Sequence, residues 1–181
     1  MNEAIKKKSN QTSINYGIIF GLILIIELII GYVFNIDGSN GFYGVIINVL
    51  NFFLLPFIFI YISANYFKNK INDGFISISE TLKTGVIVGV IASLTYGIFY
   101  FIFDLIFPEF KEELFEKTLE ISKDKFKNMN SEQVKMSVDM MKMALKPIFT
   151  IPVTILMYSF ISIIHSLIVA AIIKKPRPIF E

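Results

Sequence analysis

The sequence contains no cysteine. That absence removes disulfides, thiolate zinc sites and thiol nucleophiles together. Histidine occurs once, at His165, so a histidine-rich metal site is excluded too. Arginine occurs once, at Arg177, and 17 basic residues nearly balance 15 acidic ones. Nucleic-acid binding needs Lys and Arg gathered on one face, and they are not, so no nucleic-acid partner is expected. No hydrolase triad can be drawn from the polar residues outside the apolar stretches. No glycine-rich phosphate loop links a strand to a helix; the glycines recur at helical spacing inside apolar runs. The chain is therefore expected not to be an enzyme, with no catalytic residue, no metal ligand and no cofactor.

What is present is apolar surface. Of 181 residues, 54% are hydrophobic, and the mean hydropathy is +0.63. Soluble domains sit nearer ~45–50%. The excess is concentrated in four blocks, the mark of a membrane protein. Residues 82–107 organise the rest. Between Lys83 and Asp104 there is no charge, and roughly 20 residues of helix cross ~30 Å of hydrocarbon. Gly85, Gly89, Ser93 and Gly97 recur at every fourth position. Such a ridge lets another helix come close in lipid, where dispersion replaces the missing hydrophobic drive. This block is expected to be the inner helix of a bundle.

The four expected spans are residues 16–34, 43–67, 84–107 and 148–173, in a single all-α membrane domain covering residues 1–181. The first follows a basic start with Lys6, Lys7 and Lys8. Its apolar run is longer than a signal core, and no small-residue cleavage site follows it, which favours a span over a signal peptide. Gly17, Gly21 and Gly31 share a helical face with Leu24, Glu27 and Leu28, so these glycines are expected to pack helices and Glu27 to point inward. A polar turn is expected at 35–42. The second block carries Asn48, Asn51 and Asn65, read as polar glue between helices, and Pro56, which predicts a kink. A loop around Asn72-Asp73-Gly74 precedes Ser79, the expected N-cap of the third span. In the fourth span Ser159, Ser162, Ser166 and Ala170 form a second small-residue face.

Residues 109–146 form the one sizeable extramembrane piece. They read as two amphipathic helices hinged near 128–130, with Asn130 and Gln133 as a capping pair. In the first helix Glu112, Glu113, Glu116, Lys117 and Glu120 fall on one arc, with Phe110, Leu114, Phe115 and Leu119 on the other. The hairpin is expected to cap the bundle. Met136, Met140, Met141 and Met143 raise a soft-metal reading, but without cysteine or histidine beside them methionine at this spacing is packing. Basic flanks at both chain ends and at 69–79 place those segments in the cytoplasm and the hairpin outside.

Chemistry is confined to a few buried polar groups. A carboxylate at mid-membrane depth costs roughly 2.5–3.5 kcal/mol on insertion scales. At ~1.5 Å per residue, Glu27 lies about 17 Å and His165 about 12 Å above the cytoplasmic end, with Ser93 and Tyr96 at similar depths. An intramembrane cluster of Glu27, Ser93, Tyr96 and His165 is thus allowed. Its plain reading is interhelical hydrogen bonding, about 0.6–2 kcal/mol per contact; its functional reading is a proton or solute site.

Several features in fixed order resemble one family. Asn15-Tyr16-Gly17 opens the first span, and Ile78-Ser79-Glu80 leads into Lys83-Thr84-Gly85. Ala92-Ser93, the Pro108-Glu109 exit and Met129-Asn130-Ser131-Glu132-Gln133 follow. The run from Ser166 through Ala170-Ala171 to Lys174-Lys175 closes the series. Together they resemble the bacterial domain of unknown function 4199 (DUF4199), found mainly in Bacteroidetes. The resemblance implies a four-span protein of the bacterial cytoplasmic membrane and supplies no activity. The expectation is a non-enzymatic multi-pass protein acting through helix packing or protein contacts, with the lipid bilayer and a homodimer or membrane-protein partner around it. The alternative is a small proton-linked transporter or channel component using Glu27 and His165.

Overall fold

In hydrocarbon a backbone has no water to bond, so each apolar block must satisfy its own N–H and C=O groups. The computed structural model, which describes residues 3–34 and 41–178, meets that requirement with helices throughout. In order they are α1 (Glu3–Val33), α2 (Gly41–Val49), α3 (Leu55–Tyr66), α4 (Ile78–Ile106), α5 (Pro108–Phe126), α6 (Ser131–Ala144) and α7 (Pro147–Ile173). Two π-helical turns, Leu50–Leu54 and Phe67–Ile71, flank α3 and join with α2 and α3 into one long rod. Among the described residues four rods are long and apolar enough to cross a membrane. The first begins well before residue 16, because the basic start contains no helix breaker and simply continues α1. The turn expected at 35–42 lies outside the described residues except for Gly41 and Phe42, which begin α2.

α4 is the centre, as its small-residue ridge requires. It packs most extensively on α7 and then on α1, with α3 against α7, α1 and α4. The ridges meet as complementary surfaces. A Cβ added to Gly85 would overlap Ser166 Oγ, and one on Gly89 would overlap Ser162 Oγ. On a second face, a Cβ on Gly17 would lie 2.8 Å from the Val88 carbonyl, and one on Gly21 2.7 Å from that of Ala92. Gly97 abuts Ile151. These glycines therefore pack helices within the chain. Gly31 does not: among the described residues nothing lies within 4 Å of its would-be Cβ. Phe20, fully buried, fills the space between the rods, stacked on Phe59 at 5.3 Å and edge-on to Tyr158 at 5.7 Å.

The two ends of the bundle are built differently. At one end the C-terminal tail is fastened to the loop between α3 and α4. Ile76 and Lys175 exchange two backbone hydrogen bonds of 2.9 Å, and Lys68 Nζ donates to the Ile173 carbonyl at 2.9 Å. Arg177 donates to Asn72 Oδ1 at 2.9 Å. Asp73 and Gly74, at φ of 54° and 84°, turn the loop in the left-handed region, where aspartate and glycine are the usual occupants. The N-cap of α4 is Ser77 rather than Ser79. Ser77 and Glu80 form a reciprocal capping box, because glutamate three residues on can answer the cap's own N–H.

The other end carries the hairpin. Pro108, whose missing N–H costs nothing at a first turn, starts α5 directly after α4. Tyr32, near the end of α1, lies edge-on to Phe103 at 5.3 Å and to Phe110 at 5.5 Å. Asp104 and Lys111 pair at 2.8 Å across the junction, and Tyr100 donates to the Leu145 carbonyl at 3.1 Å. The hairpin is thus fastened at both ends, opposite the C-terminal tail. Asn130 and Gln133 cap α6 reciprocally, at 2.8 and 3.0 Å.

Three methionines depart from the packing expectation. Val134, Val138, Met141 and Leu145 turn partly inward, while Met136, Met140 and Met143 are 56%, 64% and 45% exposed. The helical period places those three opposite the inward stripe.

Candidate functional site

Beneath the hairpin the helices leave a cavity of about 490 Å³. The cause is local. Pro56 has no N–H to offer the turn before it, and the chain answers with a π turn in which Leu55 N–H bonds the Leu50 carbonyl. Asn51 sits inside that wider turn and faces the Glu27 carboxylate on α1. The close backbone contacts of α2, beyond the turn, are chiefly with the turn itself. This half of the second rod therefore leaves room beside α1. Gly31 lines the space without filling it, the role its missing side chain plays in place of helix packing.

Leu24, Leu28, Ile47 and Met157 give the cavity apolar walls, and Tyr32, Tyr96 and Tyr158 add rings. Glu27, Asn51 and Thr154 add polar groups. Tyr96 and Tyr158 both lie within electrostatic reach of Glu27. From α5, Phe110, Glu113, Leu114, Lys117, Thr118 and Ile121 line the remaining side. The boundary of the amphipathic helix is therefore shifted: Glu113 and Lys117, placed by periodicity on the polar arc, turn toward the cavity. Glu27 Oε2 and Asn51 Oδ1 are both buried and have no hydrogen-bond partner among the described residues.

Of the four clustered residues expected from sequence, Glu27 and Tyr96 line this cavity and Ser93 and His165 do not. Ser93 is fully buried and returns its hydroxyl to the Val90 carbonyl at 2.9 Å. His165 Nδ1 lies 2.8 Å from the Ile161 carbonyl, and its ring sits edge-on to Phe53 at 6.2 Å. His165 is seven residues beyond Tyr158, about 10 Å farther toward the tail end of α7 at ~1.5 Å per residue. Matching helical depth does not bring a residue to the same gap between helices. Asn48 is exposed, and Asn65 accepts from Asn69 on its own rod at 2.8 Å, so the bond Asn65 makes there is within one rod.

Periodicity missed Tyr158, although it lies one turn before Ser162 on the serine face. It assigned Asn51 to packing, although Pro56, five residues later, signals an irregular turn there.

Four membrane-length helices packed through glycine and serine ridges define a multi-pass α-helical membrane protein. Residues 15–175 match the family described as "Protein of unknown function (DUF4199)", and the chain belongs to that family. No curated protein and no solved structure matches it.

Proposed function

We propose that this is a non-enzymatic protein of a bacterial cytoplasmic membrane, with both termini cytoplasmic, that binds a small amphipathic molecule in the cavity under its hairpin. The observation that supports this most is the cavity itself. Its volume of about 490 Å³ falls within the ~300–1,000 Å³ of small-molecule sites. Its walls are largely apolar, with Glu27, Asn51 and Thr154 among them and Glu113, Lys117 and Thr118 on the α5 side, a mixture an amphiphile fits. α5 forms one wall and acts as a cover held at both ends.

The ridges Gly85–Gly89 and Ser162–Ser166 face each other inside the chain, so they do not supply a dimer seam. The pairing of Glu27 with His165 as a proton relay has no contact to support it. Binding of an amphiphile from the surrounding bilayer accounts for the hollow, and helix packing alone does not.

The test is what the protein carries. Native mass spectrometry of protein extracted in a mild detergent is expected to show a bound amphiphile near one per chain. Gly31→Phe, which fills open space, should abolish it while leaving the melting temperature within a few degrees. A protein that carries no amphiphile, or a filled variant that retains it, refutes the proposal.

A further inference from the structure

We propose that the head group of this amphiphile is an organic cation, a protonated amine or the ammonium of a lipid head group, seated against Glu27 and Asn51. The proposal rests on the binding reading above and narrows it to one chemical class.

The unmet bonds point the same way. Glu27 and Asn51 line one hollow, and their Oε2 and Oδ1 atoms are buried and lack hydrogen-bond partners among the described residues. The Glu27 carboxylate and the Asn51 amide oxygen are acceptors, so an occupant that satisfies them donates, and an ammonium carries several donors at one centre. Charge agrees. No lysine or arginine interrupts the apolar runs of the four rods, and among the residues lining the cavity Glu27 and Glu113 outnumber Lys117. An anionic head beside Glu27 would be repelled in a medium of low dielectric constant. The rings agree as well. Tyr32, Tyr96 and Tyr158 stand around the hollow, and ring faces attract weakly hydrated organic cations. The apolar part then lies against Leu24, Leu28 and Ile47.

The decisive comparison uses three probes with one chain: octylammonium, octanol and octanoate, titrated into the protein in a neutral maltoside detergent with empty micelles as reference. Octylammonium is expected to bind at least tenfold tighter than octanol and still tighter than octanoate. Glu27→Gln should erase that preference by lowering octylammonium affinity at least tenfold, to about that of octanol. Should Glu27→Gln fail to fold, the wild-type ranking stands as the test, and Asn51→Leu should weaken octylammonium several-fold. Equal binding of all three probes overturns the cation assignment and leaves the amphiphile site intact. Binding of none overturns both. Adding phosphatidylethanolamine to the micelles separates the sources. Competition with octylammonium identifies a lipid head group as occupant, and indifference identifies a free amine; either result requires the cation preference to hold.

Discussion

Gly85 and Gly31 lie on apolar helices and look alike in the sequence, but alanine at each should act in opposite directions. At Gly85 a methyl group would overlap Ser166 Oγ and stand 3.1 Å from Ser166 Cβ and 3.2 Å from Ile60 Cγ2. The Ser166 hydroxyl donates to the Ser162 carbonyl, so rotating it away forfeits that bond. The lost intramembrane hydrogen bond is worth about 0.6–2 kcal/mol. Forcing α4 and α7 apart adds roughly 1–3 kcal/mol, as overpacking does in well-packed cores. Replacing glycine by alanine returns up to about 1 kcal/mol of helix propensity. Gly85→Ala should therefore destabilise by about 1–4 kcal/mol. At Gly31 only the propensity term operates, because no described residue lies within 4 Å, and Gly31→Ala should be neutral or stabilising by up to about 1 kcal/mol. Ser166→Ala in the Gly85→Ala background should recover part of the loss by removing the overlapping oxygen. Unfolding in mixed micelles by increasing dodecyl sulfate, followed by circular dichroism, reads all three. Equal effects at Gly85 and Gly31, or no recovery in the double variant, would show that the ridges do not hold the bundle together.

Two further outcomes follow from the ends of the bundle. Lys111→Met leaves the largely buried Asp104 carboxylate without its counter-ion and should cost about 1–3 kcal/mol in the same titration, with Asp104→Asn in that background restoring most of it; identical single and double variants would remove the pair from the hinge. Arg177 is half exposed, so Arg177→Ala should change global stability by less than about 1 kcal/mol. It should nevertheless speed amide exchange at Ile76 and Lys175, whose mutual bonds it helps to hold; unchanged exchange there would show that the tail is fastened without it.

The sequence made the rods and their inner edges legible because both obey a period. An uncharged run of membrane length has one inexpensive structure in lipid, and small residues at every fourth position must share a face. The α5–α6 hinge was legible for a related reason: Asn130 and Gln133 meet at a fixed spacing. Ser77 could be mistaken for Ser79 because either precedes the apolar run, and only the answering Glu80 distinguishes them. The cavity was illegible. Gly31 continues the pattern of Gly17 and Gly21, yet no described residue comes within 4 Å of where its Cβ would stand. Asn51 faces Glu27 from within a π turn, which breaks the period by which faces are counted. His165 and Ser93 matched Glu27 in depth, but depth along a rod does not fix which gap a side chain enters.

The absence of cysteine makes the most direct measurement simple, since single cysteines can be introduced without background. Thr154→Cys lies in the cavity wall, and Ile163→Cys lies on the outer face of the same helix, where Ile163 is 40% exposed to the surrounding lipid. Both are treated, in protein reconstituted into bilayers, with a small water-soluble cationic methanethiosulfonate. Prompt modification at position 154 with little at position 163 is the expected result, and prior addition of octylammonium should slow it. No modification at position 154, or equal rates at the two positions, would contradict a hollow open to solutes beneath the hairpin.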